Sequence, residues 1–201
     1  NENFQKVIDN ALPQQTSEVI NIYAGTNENA ELSNFAIRPF SETFDLSPIG
    51  MDSETLTFNT VEGAFQANKI LYSSNLKNYD LLPQFQKASG ANAKALGKQI
   101  KGLDIKSWDI DSLSIMEELM MQSFKQNPDA VAKLLDTGNA TLTHTQDKSK
   151  WGKLFPQILM EVREDLGGAA SPLDLLGNLK IQNQTSEEVT TTLGAYETEI
   201  N

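Results

Sequence analysis

The sequence has no cysteine, which excludes disulfide bonds, thiolate nucleophiles and thiolate metal centres and suits a reducing compartment. A single histidine, His144, excludes metal sites built from several imidazoles. No apolar run approaches the roughly 18 residues that a membrane-spanning helix needs, and the N-terminus has no signal-peptide pattern. A soluble protein without membrane contact is expected, in the cytoplasm or delivered into it from a virion. The GxxxxGK phosphate loop and the GxGxxG, HExxH and GxSxG motifs are also missing, and the spacing of Ser, His and Asp suggests no nucleophilic triad. Basic residues are scarce: 16 Lys and Arg face 27 Asp and Glu, a net charge of −11. That balance argues against docking on a nucleic-acid backbone, where cations must displace counterions, but a nucleotide-sized ligand needs only a few local cations.

What is present describes an ordinary globular chain, 39% hydrophobic and 21% charged, whose 201 residues suit one domain with tails. The acidity is uneven: residues 1–18 carry −2 and residues 169–201 carry −4, leaving −5 for residues 19–168. Residues 1–18 read as a helix and linker, with Phe4, Val7, Ile8 and Ala11 or Leu12 at helical spacing before Pro13. Residues 19–168 read as the folded domain, and residues 169–201 as an acidic linker or the start of another module. The chain begins with Asn1 rather than Met, which suits a fragment of a longer polypeptide with further domains, a processed terminus or an omitted first residue alike.

Within the domain, Val19 to Tyr23 is β-branched and reads as a strand, with weaker candidates at Ala36 to Phe40 and Leu56 to Phe58. Ser41 to Glu54, holding Pro48 and Gly50, reads as a long turn or hairpin tip. From Thr60, a plausible N-cap, the apolar period changes to about 3.6 residues, and helices dominate. Ser89 is placed to cap a second helix through Ile100, Asp109 or Asp111 a third, and Asn127-Pro128 opens a fourth that Gly138 closes. Ala140 to His144 suits a short strand, and a last helix with Phe155, Ile158, Leu159, Val162 and Leu166 should end at Gly167-Gly168. The expected class is α+β, mainly helical with a small β-sheet.

The residues that stand out chemically are scattered: Ser33-Asn34-Phe35, Thr60-Val61-Glu62, Gln66-Ala67-Asn68-Lys69, Ser89 to Lys98, Trp108, and Asp147 followed by Trp151-Gly152. In this order and spacing they resemble the NADAR superfamily over Val19 to about Leu166. The Ser-Asn-Phe, Thr-x-Glu with Gln-Ala-x-Lys, and Asp-x-x-x-Trp-Gly pieces each have a counterpart here, and Leu159-Met160-Glu161-Val162-Arg163 resembles the family's closing helix. The resemblance implies hydrolysis of an N-glycosidic bond to ribose, in a nucleotide or an ADP-ribosylated substrate, with no cofactor and no metal.

Such a reaction builds positive charge on the ribose, so a carboxylate beside the anomeric carbon stabilises the transition state and can activate water. By the resemblance Glu62 takes that role, with Asp147 as the second polar candidate. If Glu62 lies in a helix's first turn, the dipole favours its ionised form, and complementing the dipole is also its bland alternative. Lys69, two turns on, would share a helix face with Glu62 and Gln66 and could receive phosphate; a solvated polar face is the alternative. Lys98 stands where the family often has Arg. Ser33 and Asn34 are expected to point at ribose hydroxyls or phosphate, with Phe35 set more in the core. Trp108, among polar residues, suits an exposed stacking platform or core packing, Trp151 suits core packing or stacking, and Gly152 permits close backbone approach. His144, at a strand end, reads as acid or base, or as a structural hydrogen-bonder.

Two departures from the family pattern bear on activity. Gly63-Ala64 replaces bulky residues after Glu62, which is expected to open space there, and the glycine-rich Asn-x-Leu-Gly stretch after Trp151-Gly152 is absent. A binding or structural module without catalysis is therefore the competing reading. The hydrolase reading requires Glu62 to face a cleft bordered by Trp108, Lys69 and Asp147.

Overall fold

The architecture was obtained as a computed structural model, which describes residues 18–25 and 28–169. The helix expected around Phe4 to Leu12 and the acidic stretch from Ser171 onward lie outside the described residues.

Four short strands and six α-helices are described, in the order β1 (Val19–Asn21), β2 (Phe40–Phe44), β3 (Glu54–Phe58), α1 (Val61–Asn68), α2 (Leu82–Lys87), α3 (Gly90–Gly97), α4 (Ile105–Lys125), α5 (Pro128–Asp136), β4 (Thr141–Thr143) and α6 (Trp151–Asp165). The class is α+β, and the sheet is small because it consists of two separate pairs. β1 lies parallel to β4, and β2 is antiparallel to β3 with Phe40 opposite Phe58.

β2 starts where the strand expected at Ala36 to Phe40 was to end, and it occupies part of the expected Ser41 to Glu54 turn. The reason is Glu42, which breaks the inward alternation of Phe40 and Phe44 and hides the strand's period of two. The preceding segment is held irregular by Arg38. Its buried guanidinium lies 4.3 Å over the Phe124 ring and donates to the Ser123 Oγ at 2.8 Å and to the Glu31 carbonyl at 2.6 Å. Burial lowers its pKa to about 10.

The helix caps follow side-chain chemistry. Thr60 Oγ1 accepts the Gly63 N–H at 2.9 Å and starts α1, and Ser89 Oγ accepts the Asn92 N–H to start α3. α4 is capped by Asp104, which accepts the Ser107 N–H at 3.1 Å, and not by Asp109 or Asp111. The earlier start escaped the sequence because Ile105 and Ile110 face solvent, so the apolar stripe begins a turn late. At the far end, Gly167 and Gly168 return their N–H groups to the carbonyls of Glu164 and Arg163, closing α6.

α4, at 21 residues, is the spine: it touches α1, α5, α6 and β2. Its Met116, Leu119, Met120 and Phe124 belong to one continuous core with Phe40, Phe44 and Phe58 of the hairpin, Val61 and Phe65 of α1, Leu142 of β4, and Ile158, Leu159 and Val162 of α6. Burying each large side chain of this kind is worth about 1.5–3 kcal/mol. The ends of α1, α4 and α6 are thereby fixed against one another, and the chemically distinctive residues sit at those ends.

Candidate active site

Glu62 lies in the first turn of α1, where its backbone N–H donates to the Asn34 carbonyl at 3.1 Å. That bond ties the Ser33-Asn34-Phe35 segment to the helix. The Glu62 side chain is 8% exposed. Its Oε1 accepts a 2.8 Å hydrogen bond from Gln66 Nε2, one turn along α1. No described residue hydrogen-bonds Oε2, and that oxygen stays in contact with solvent. The carboxylate is therefore recessed rather than sealed, with one oxygen anchored and the other offered outward.

Burial pushes the Glu62 carboxyl above the usual range, and the nearby Asp147 charge adds to this; the Gln66 hydrogen bond and the charges of Lys94 and Lys69 pull the other way. The first-turn position predicted a preference for the ionised form, but loss of hydration outweighs the helix dipole here. A carboxylate with a raised pKa is a stronger base once ionised.

Lys69 follows the last residue of α1, and its Nζ lies 5.8 Å from the centre of the Trp108 ring. Burial lowers its pKa, as does the charge of Lys94, while Glu62 and Asp109 oppose the shift. Asp147, in the loop between β4 and α6, accepts from the backbone and hydroxyl of Ser149 at 2.8 and 2.6 Å. Burial works against its charge, yet those bonds and the nearby Lys94 and His144 hold it below the usual carboxylate range. Glu62, Lys69, Lys94 and Asp147 thus share one electrostatic neighbourhood, supplied by α1, α3 and the loop before α6.

Lys94 was not singled out by the sequence. The resemblance pointed to Lys98, the exposed residue that caps α3 four positions after Lys94; the cations acting on Glu62 are Lys94 and Lys69. Once the Ser89 cap fixed the helix, its face was available as a signal, but which face met Glu62 was not.

The aromatic residues sit differently from expectation. Trp108 is in the first turn of α4 and only 6% exposed, so it is not an open stacking platform. Phe65 lies between the two indoles, 5.0 Å from Trp108 and 5.2 Å from Trp151, and Tyr72 meets Trp108 edge-on. Trp151 is partly exposed under the Lys150 ammonium, which also lies 4.0 Å from Asp109. The two tryptophans form the wall on which Lys69 and Lys150 rest. Phe35, expected nearer the core, is 37% exposed and packs on Gly90 at the start of α3. Ser33 and Asn34 are buried; Ser33 Oγ accepts the Phe35 N–H, and Asn34 Nδ2 meets the Met116 sulfur. Gln66, expected among substrate contacts, is buried, and its amide N–H engages Glu62.

His144 Nδ1 lies 2.7 Å from the Ile22 carbonyl and its ring stands edge-on to Phe155, so its contacts join β4 to the end of β1. Gly152 begins α6 against the preceding loop: a Cβ there would fall 2.0 Å from the Asp147 carbonyl. Gly63 does not open space beside Glu62. A Cβ at that position would meet the Phe85 carbonyl at 2.7 Å, so this glycine lets α1 pack on α2.

The fold and the recessed carboxylate define a class: a mainly helical α+β protein that presents one acidic oxygen under the influence of two cations. The NADAR domain family matches residues 22–167, and the chain belongs to that family. Among curated relatives, an N-glycosidase, R617, of Acanthamoeba polyphaga mimivirus is 24% identical over 132 residues, 56% of this chain and 76% of the relative. The N-glycosidase YbiA of Shigella flexneri serotype 5b is 28% identical over 160 residues, 74% of this chain and 88% of the relative. Among solved structures, the NMR structure of the E. coli protein YbiA superposes with a TM-score of 0.55 at 24% identity, covering 85% of this chain and 91% of that one. That superposition supports the fold.

Proposed function

We propose that this protein is an N-glycosidase that hydrolyses the bond between ribose and nitrogen in an ADP-ribose-like or ribosylated nucleotide. The observation that carries the reading is the Glu62 Oε2, which no described residue hydrogen-bonds and which keeps contact with solvent, while the charges of Lys94, Lys69 and Asp147 act on the carboxyl. As the C1′–N bond breaks, its electron pair leaves on nitrogen and the ribose becomes cationic. The Glu62 carboxylate stabilises that charge and takes a proton from the water whose oxygen forms the new C1′–O bond. The departing nitrogen is protonated from solvent. Lys69 and Lys94 receive the phosphate oxygens of the substrate, and the ionised Asp147 orients ribose or water. Family membership and the names of the relatives support the same reaction class.

The test is incubation of NAD, ADP-ribose and an ADP-ribosylated guanine nucleotide with the protein, followed by chromatography of released base and ribose. One of them should be cleaved, with an acid limb in the rate profile above the ordinary glutamate range, and Glu62→Gln should abolish release while the fold, read by circular dichroism, is unchanged. Equal turnover by Glu62→Gln removes Glu62 from the mechanism. Tight binding of ADP-ribose without turnover by the unaltered protein would instead establish a binding module.

A further inference from the structure

The Gln66 carboxamide is 6% exposed and carries an asymmetry. Its Nε2 donates to Glu62 Oε1 at 2.8 Å, while its Oε1 is buried with no hydrogen-bond partner. That oxygen occupies the space beside Gly97 on α3: a Cβ built on Gly97 would fall 2.0 Å from Gln66 Oε1 and 2.8 Å from Cδ. An unpartnered buried carbonyl oxygen destabilises a fold, and turning the amide over would set that oxygen against the Glu62 carboxylate. The orientation that is kept is the one that presents an N–H to Glu62.

From this we infer that Gln66 is a positioning residue for Glu62, seated in a notch that only a glycine at position 97 leaves open, and that it decides which carboxylate oxygen faces the substrate. The consequence for catalysis rests on the N-glycosidase reading; the positioning itself does not. With Oε1 anchored, the χ angles of Glu62 are fixed, and Oε2 alone is aimed outward. Without the amide the carboxylate turns between rotamers inside its recess. It also loses the one hydrogen bond that favours its charged form.

Two measurements test this. Carboxyl-detected NMR titration of Glu62 follows the group itself, whatever the activity. Gln66→Met, similar in volume but without a donor, should raise the Glu62 midpoint by about one pH unit, as loss of a charge-assisted hydrogen bond demands. Gly97→Ala should raise it in the same direction by displacing the amide. In a Gln66→Ala background, where the displaced group is gone, Gly97→Ala should change nothing further. On the substrate that the protein cleaves, Gln66→Met should lower kcat tenfold or more with KM within about twofold, because the amide touches Glu62 and not substrate. Gln66→Met leaving the midpoint in place, or Gly97→Ala acting equally in both backgrounds, overturns the inference. Shifted midpoints in a protein that cleaves nothing would uphold the positioning and sink only the glycosidase reading.

Discussion

Glu42 offers a sharp test of the energetics, because the β2 position that hides the strand in the sequence also puts a carboxyl where it is poorly hydrated. Burial raises its pKa from 4.5 to about 7, with the charge of Glu118 adding to the rise and a 3.1 Å hydrogen bond from Asn68 Nδ2 opposing it. The folded state therefore binds this proton more tightly than the unfolded chain does. Its contribution to stability is fully present below about pH 4.5 and is lost as pH rises through about 7. Each tenfold gain in proton affinity is worth about 1.4 kcal/mol, which sets a ceiling of about 3 kcal/mol, and the partly open setting of Glu42 reduces the expectation to about 2 kcal/mol. Glu42→Gln keeps an acceptor for Asn68 and mimics the protonated group at every pH. Urea unfolding of both proteins between about pH 3.5 and 8 should show nearly equal stability at the acid end, and the variant about 2 kcal/mol more stable at the alkaline end. Other titrating groups are common to both proteins and cancel in the difference. A difference that stays constant across that range would refute the reasoning.

Three further outcomes follow from the site. Lys94→Ala should raise the Glu62 midpoint and weaken binding of phosphate-bearing ligands by calorimetry, while Lys98→Ala should leave the midpoint near its native position; the reverse pattern would reinstate Lys98. Trp108→Ala should cost about 3–5 kcal/mol of unfolding free energy, as expected of a buried ring, whereas a loss below about 1 kcal/mol would mean an exposed platform. Gly152→Ala should destabilise by roughly 1–3 kcal/mol and shift the amide resonances of residues 144–149, since the new methyl collides with the Asp147 carbonyl; unchanged resonances would contradict that contact.

Local chemistry was legible in the amino-acid sequence wherever one residue determined it. Thr60 and Ser89 announce their helices because a hydroxyl can accept an N–H three residues on, and Gly167-Gly168 ends α6 for equally local reasons. The α+β class follows from the same kind of signal, summed over the chain. The family resemblance added the residues to watch, among them Glu62, whose place in a first turn was readable.

What that turn would face was decided only by tertiary packing. The helix dipole is a property of α1 alone and favours charge on Glu62, but burial under neighbouring elements reverses the direction. Trp108 sits among polar neighbours in sequence and among aromatic rings in space, because its companions Phe65 and Tyr72 lie about 40 residues away along the chain. Lys94 reached the site, and Gly63 and Gly97 acquired their meaning, only when α2 and α3 were laid against α1. Periodicity and capping record what a residue does to its own helix; hydration, and the partner that fills a notch, depend on surfaces that distant parts of the chain bring together.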